Sequence, residues 1–230
     1  LADWMENGNI STKGVMDWSA VNRMIVYIDT VPKGQEIVFT MTLADICLVD
    51  TTMEDNATPR VATPSEGMTS SDKIVYSVDA TQMGADKTGE RDSTAAIQRA
   101  INKVTDGGVV FLPAGRYKVT GTLQIPGGVT LRGEWLNPDE GGLGKGTILM
   151  AYAGRGQTDP EAGAFLSLQK GTSLQYLGIW YPEQDPADIQ PYPAAIAGQG
   201  HNYIHNITLY NAYTGLYDHH CSSLMVRGLY

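Results

Sequence analysis

Cysteine is nearly absent: Cys47 and Cys221 stand alone in 230 residues, far apart, and cannot form the disulfide framework of a small secreted scaffold. Basic charge is also short, with 16 Lys and Arg against 25 Asp and Glu and a net charge of −9. That balance opposes long-range attraction to a nucleic-acid backbone or an anionic membrane, so neither is an expected partner. No uninterrupted apolar run approaches the roughly 18 residues of a membrane-spanning helix. Hydrophobic residues nevertheless make up 42% of the chain and charged ones 18%, enough apolar side chain to build a core and too little charge for a disordered polyelectrolyte. Glycine, at 26 residues, exceeds the usual share, and helix formers do not dominate, which favours a turn-rich β architecture. Leu1 is neither a start methionine nor the opening of a signal peptide, and 222–230 reads as an unfinished strand, so the expectation is an internal fragment.

Composition shifts near residue 78: only 4 of the 26 glycines precede it, whereas 6 of the 9 methionines do. Two modules are expected, 1–72 and 73–230. In the first, Arg23 to Asp29 and Glu36 to Val49 alternate apolar and polar residues and are joined by Val31-Pro32-Lys33-Gly34, a hairpin of an antiparallel, sandwich-like accessory module. Thr51 to Lys73 is rich in hydroxyls and poor in large apolar side chains, as an exposed connector is. The second module begins with a short strand at 73–78. Asp92-Ser-Thr-Ala-Ala-Ile-Gln-Arg-Ala-Ile-Asn-Lys-Val104 then sets Ile97, Ala100, Ile101 and Val104 on one face of a helix, with Asp92 or Ser93 as its cap. Gly107-Gly108 ends it, and short β runs follow.

Four of those runs repeat weakly: 129–135, 174–180, 204–210 and 224–230 each open on an apolar residue and close on an aromatic one. The starts are 45, 30 and 20 residues apart. A step of about 20 residues is one coil of a solenoid, and the longer gaps are coils carrying loops, such as 137–146 and 183–193. A sandwich with similar strands is the competing architecture.

Gly84-Ala-Asp-Lys-Thr-Gly-Glu-Arg-Asp-Ser-Thr-Ala-Ala-Ile-Gln-Arg-Ala-Ile101, followed by Gly107 to Glu134 with its Pro113-Ala-Gly115-Arg-Tyr117 turn and Leu131-Arg-Gly133 step, resembles the opening of the pectate-lyase-like superfamily. The resemblance is strong over 79–134 and reaches 135–230 only through the repeat. It implies an all-β fold: a right-handed parallel β-helix, in part, with an N-terminal capping α-helix and a preceding antiparallel β module. The prolines and glycines of that stretch then mark corners. The superfamily implies carbohydrate polymers more firmly than any one reaction.

Nine of the nineteen aromatic residues fall in the last 57 positions, where rings can stack on sugar faces. Trp180, Tyr210 and Tyr230 read as a ladder along the solenoid, and Tyr181 and Tyr192, in a Pro-rich loop, as sugar contacts. His201, His219 and His220 join them as candidate substrate contacts. His205 lies in the same stretch. Glycoside hydrolysis needs a carboxylic acid and a second carboxylate, and Asp218 with Asp185 or Asp188 is the pair the sequence offers. Adjacent His219 and His220 point to opposite faces of a strand, poor geometry for one metal ion. The leading expectation is a secreted glycoside hydrolase on a polysaccharide, without metal or cofactor. A uronate lyase using Ca²⁺, with Arg227 and the histidines in its site, and a non-catalytic carbohydrate-binding or tailspike-like protein are the alternatives.

Overall fold

The computed structural model describes residues 60–65, 68, 74–104, 107–140, 144–159, 163–217 and 223–230. The chain divides into two units, 1–52 and 53–230, and every described residue belongs to the second. The expected N-terminal hairpin therefore lies outside the described residues.

The elements, in chain order, are β1 (Arg60–Ala62), β2 (Ile74–Tyr76), β3 (Val78–Asp79), α1 (Thr94–Lys103), β4 (Gly108–Phe111), β5 (Gly115–Val119), β6 (Leu123–Ile125) and β7 (Val129–Arg132). They continue with β8 (Thr147–Ala151), β9 (Leu166–Leu168), β10 (Ser173–Trp180), β11 (Ala194–Gly198), β12 (Asn202–Tyr210), β13 (Thr214–Tyr217) and β14 (Leu224–Leu229). Apart from the antiparallel pair β1–β2, every pairing between these strands is parallel. One sheet runs β3-β4-β7-β10-β12-β14, and another β6-β9-β11-β13. A third face joins β5 to β8 and β8 to the C-terminal half of β10. Successive strands of a face thus come from successive circuits: β4-β5-β6, then β7-β8-β9, then β10-β11, then β12-β13, then β14. This is a parallel β-helix, and the sandwich is excluded over these residues.

Inward side chains stack into columns. Val110, Leu131, Leu174 and Ile204 are neighbours in register and fully buried, and Tyr117, Leu149 and Ile179 do the same on the second face. Each side chain is covered by those of the coils above and below, so the core is a stack of apolar layers.

The capping helix spans Thr94–Lys103, and the anticipated Ile97, Ala100, Ile101 and Val104 are buried. Its polar side chains supply what the first coil lacks on its open edge. Gln98 donates from Nε2 to the Gln124 carbonyl and accepts from the Gln124 N–H, both at 2.9 Å. Thr94 Oγ1 accepts from the N–H groups of Thr120 and Gly121. Backbone groups that would otherwise template pairing with another strand are thereby satisfied. At the helix N-terminus Asp92 accepts from the Thr94 N–H, whereas the Ser93 hydroxyl turns back to the Asp86 backbone.

Two sequence readings change. The repeat aligns 174–180 with 204–210 in the observed register, Leu174 opposite Ile204 and Trp180 opposite Tyr210. The outer members are displaced by two: Leu131 lies opposite Leu174, and Val226 opposite Ile204. The slip is not neutral: matching by the first residue sets Arg132 level with buried Leu177 and Arg227 level with buried Ile207, a mismatch of faces that the shared first and last residues of the runs conceal. The second change concerns the connector. Its Arg60–Ala62 is a strand paired with β2, and Ser65 donates from its N–H and its hydroxyl to the Glu134 carboxylate.

Candidate functional site

The strand β10 is long because it turns a corner. Tyr176 takes a left-handed backbone conformation, φ 58°, and the equivalent positions one and two coils on are Asn206, φ 52°, and Gly228, φ 69°. Asn and Gly enter this region at little cost, whereas a residue such as Tyr gives up roughly 1–2 kcal/mol. The column continues to Gly133, where an added Cβ would sit 2.6 Å from Thr147 Cβ and 2.7 Å from the Tyr176 carbonyl oxygen. Packing, rather than dihedral freedom, requires glycine there.

Immediately before that corner each coil presents one outward side chain: Arg132, Gln175, His205 and Arg227, consecutive in register. Neighbouring strands of a parallel sheet lie about 4.8 Å apart, so these side chains form a polar ladder across the coils. Aromatic rings frame it. The Arg132 guanidinium lies 5.0 Å from the Tyr176 ring centre, and His205 has Tyr176 at 4.9 Å and Tyr203 at 5.5 Å. Partial burial first, then the charges of Arg227 and Arg132, hold the His205 imidazole below its ordinary pKa. At neutral pH it is therefore uncharged and can accept a proton, between two fixed cations.

A cavity of about 190 Å³ adjoins the ladder, lined by Arg132, Gly133, Trp135, Tyr176 and Asn206 from the coils and by Pro64, Met68 and Ile74 from the preceding segment. Glu134 fastens that segment. Its buried carboxylate accepts from Ser65 and, at 2.8 Å, from the Ala114 N–H, so its charge is spent on backbone and hydroxyl donors.

The residues singled out from sequence are distributed differently. Asp185 and Asp188 are exposed and form a turn, bridged through their backbones, with Asp185 accepting from the Ala187 N–H and Asp188 from Gln190. Tyr181 and Tyr192 are in the core, 1% and 2% exposed, edge-on to one another at 4.9 Å. Their loop folds back through the Gln184–Gln190 hydrogen bonds, so protein covers the ring faces expected to meet sugar. Burial raises the Tyr181 hydroxyl far above its usual pKa. His201 sits in an exposed turn at φ 51°. Asp218, His219 and His220 lie outside the described residues. Trp180 and Tyr210 are adjacent rungs on the outside of the solenoid, with the Arg116 guanidinium 5.5 Å from the Trp180 ring centre. Among the described residues no three His, Cys, Asp or Glu side chains gather as a metal-ligand group, and no helix is long and apolar enough to cross a membrane.

Residues 77–148 match the family described as rhamnogalacturonase A/epimerase, pectate lyase-like. No curated protein matches the chain. Among solved structures, the A-module of a mannuronan C-5 epimerase from Azotobacter vinelandii is 16% identical, with a TM-score of 0.40 over 66% of this chain and 50% of that one. A surface adhesin of Streptococcus pneumoniae is 17% identical, TM-score 0.40, over 57% of this chain and 33% of that one. An iota-carrageenase complexed to iota-carrageenan fragments is 15% identical, TM-score 0.39, over 57% and 28%. The chain thus spans half or less of the length of each of these three. The parallel pairing of its coils and the helix over their leading edge make the described part of this chain a parallel β-helix, whose residues 77–148 match a pectate-lyase-like family.

Proposed function

We propose that this protein engages an acidic polysaccharide along the Arg132–Gln175–His205–Arg227 ladder, and that its chemistry is proton abstraction from the sugar carbon that bears the carboxylate. The observation that carries this reading is an imidazole set between two guanidinium groups, in register on a ring-lined outer face. The arginines pair with carboxylates of the polymer, and Tyr176 and Tyr203 offer ring faces to its sugars. Neutralising a uronate carboxylate acidifies the adjacent C5–H, and an uncharged His205 accepts that proton. In a lyase the electron pair left on C5 forms the C4=C5 double bond as the C4–O bond breaks, and the departing oxygen is protonated by solvent.

The overall charge of −9 does not oppose this reading, because the charged members of the ladder itself are all basic. Support for a carbohydrate polymer comes also from the family match over 77–148, described as rhamnogalacturonase A/epimerase, pectate lyase-like. A polymer of that kind is too large to enter cells, which is the basis for placing the protein outside the cytoplasm.

The test is incubation with uronate polymers and with neutral glucans. Ultraviolet absorbance of an unsaturated uronate, lost in His205→Ala, is the expected result. Release of reducing ends without that absorbance, dependent on Asp218, would replace the proposal with carboxylate-catalysed hydrolysis. Tight binding with no turnover would leave the carbohydrate-binding reading alone.

A further inference from the structure

The ladder has one closed end. Its position in the first coil is taken by Phe111, in register with Arg132. Phe111 is buried, 3% exposed, with the Tyr76 ring of β2 centred 5.3 Å away. The polar face therefore begins at Arg132 and stays open through Gln175 and His205 to the exposed Arg227. Pro64 and Met68 line the 190 Å³ cavity together with Arg132, Trp135, Tyr176 and Asn206. Pro64 precedes Ser65, which is anchored to Glu134, and the Met68 N–H donates to the Ser65 carbonyl.

Arg132 lines this cavity, with its guanidinium carbon 5.0 Å from the Tyr176 ring centre. A guanidinium is the natural complement of a carboxylate. Trp135 and Tyr176 add ring surface, and the Asn206 amide can both donate and accept.

We infer that this cavity is a terminal subsite, which takes the last acidic sugar of a chain, so that the groove binds its polymer by the end rather than in the middle. The inference rests on the reading of the ladder as an acidic-polysaccharide groove and adds its polarity. A chain laid along the ladder from Arg227 meets the buried Phe111 and the Tyr76 ring one step beyond Arg132 and cannot continue. Its final carboxylate reaches Arg132 while the ring lies among Trp135, Tyr176 and Met68.

Calorimetry with hexagalacturonate, free at both ends, and with derivatives blocked by bulky ethers at one end or at both, tests this on the intact protein. The free hexamer and one of the two singly blocked forms are expected to bind equally. The doubly blocked form should bind about tenfold or more weakly. Met68→Trp fills the cavity from a half-buried position outside the coils, and should reproduce that loss for the free hexamer while leaving the doubly blocked one unchanged. Equal binding of free and doubly blocked hexamers, or unchanged binding of the free hexamer by Met68→Trp, overturns the inference and leaves the groove reading standing, provided that Arg227→Ala weakens all forms alike. Failure of every hexamer to bind overturns the groove reading itself, and this one with it.

Discussion

Two outer faces of the same coils meet at the Gly133–Tyr176–Asn206–Gly228 corner, and they are used in opposite ways. On the N-terminal side Arg132, Gln175, His205 and Arg227 are presented on the surface. On the C-terminal side the outward positions Ile148, Gly178 and Thr208 are buried. The difference lies in the 133–146 insert, whose Trp135 donates from Nε1 to Thr208 Oγ1 at 2.8 Å and whose Gly144 N–H donates to the Tyr210 hydroxyl. The backbone of a β-helix treats its outer faces alike, so it is the inserts that decide which one a ligand can reach. Sequence follows cover beneath the insert, where Ile148, Gly178 and Thr208 are small or apolar, whereas Arg116, in register with Ile148, is exposed.

The largest effect on this contrast is expected at the corner both faces share. Gly133→Ala places a methyl group against Thr147 and the Tyr176 carbonyl. It should cost about 1–3 kcal/mol, as overpacking does, read as a lower melting temperature by calorimetry, and should disturb both faces at once. Next comes the open face alone. Arg132→Ala and Arg227→Ala should each weaken uronate-polymer binding by about tenfold, or ~1.4 kcal/mol, with a salt dependence shallower than that of the wild type. Arg227, exposed, should leave the melting temperature within about 0.5 kcal/mol of stability. The covered face gives a smaller change. Thr208→Val removes the acceptor of the Trp135 N–H and should cost ~1 kcal/mol, read as a lower melting temperature.

The smallest effect is in pH. The His205 pKa is depressed on folding, so the unfolded chain takes up a proton near pH 6.5 that the folded one refuses. Stability from this group is fully present above the unfolded value and is lost as pH falls toward the depressed one. His205→Gln should flatten the stability profile in that window. Asp86 makes the opposite end of the scale visible. Hydrogen bonds from the backbone of Arg91 and Thr88 and from the Thr88 hydroxyl hold its pKa at about 2, so the turn it organises should loosen only as pH drops below the ordinary carboxylate range.

The capping helix and the solenoid were legible because they rest on signals strong in one dimension: the 3.6-residue spacing of Ile97, Ala100, Ile101 and Val104, and the repeated apolar-to-aromatic runs. The ladder was not. Matching 129–135 and 224–230 to the middle repeats by their first apolar residue set Arg132 and Arg227 two positions out of step with Gln175 and His205. The shared first and last residues of the runs concealed the slip, although it put these arginines level with the inward Leu177 and Ile207. The pairs Arg132-Gly133, Gln175-Tyr176, His205-Asn206 and Arg227-Gly228 held the missing information, since Gly and Asn mark the corner where a left-handed residue fits. Tyr176 hid it, being the residue least suited to that conformation. Tyr181 and Tyr192 misled for another reason: a Pro-rich setting reads as a surface loop, yet Gln184 and Gln190 fold it onto the core.

The most direct measurement is the affinity of a uronate polymer for the wild type and for Arg132→Ala/Arg227→Ala, side by side with a neutral glucan of equal length. The account predicts binding of the uronate that falls by about a hundredfold in the double variant and none of the glucan. Equal affinity for the two polymers, or a double variant that binds the uronate as the wild type does, would contradict it.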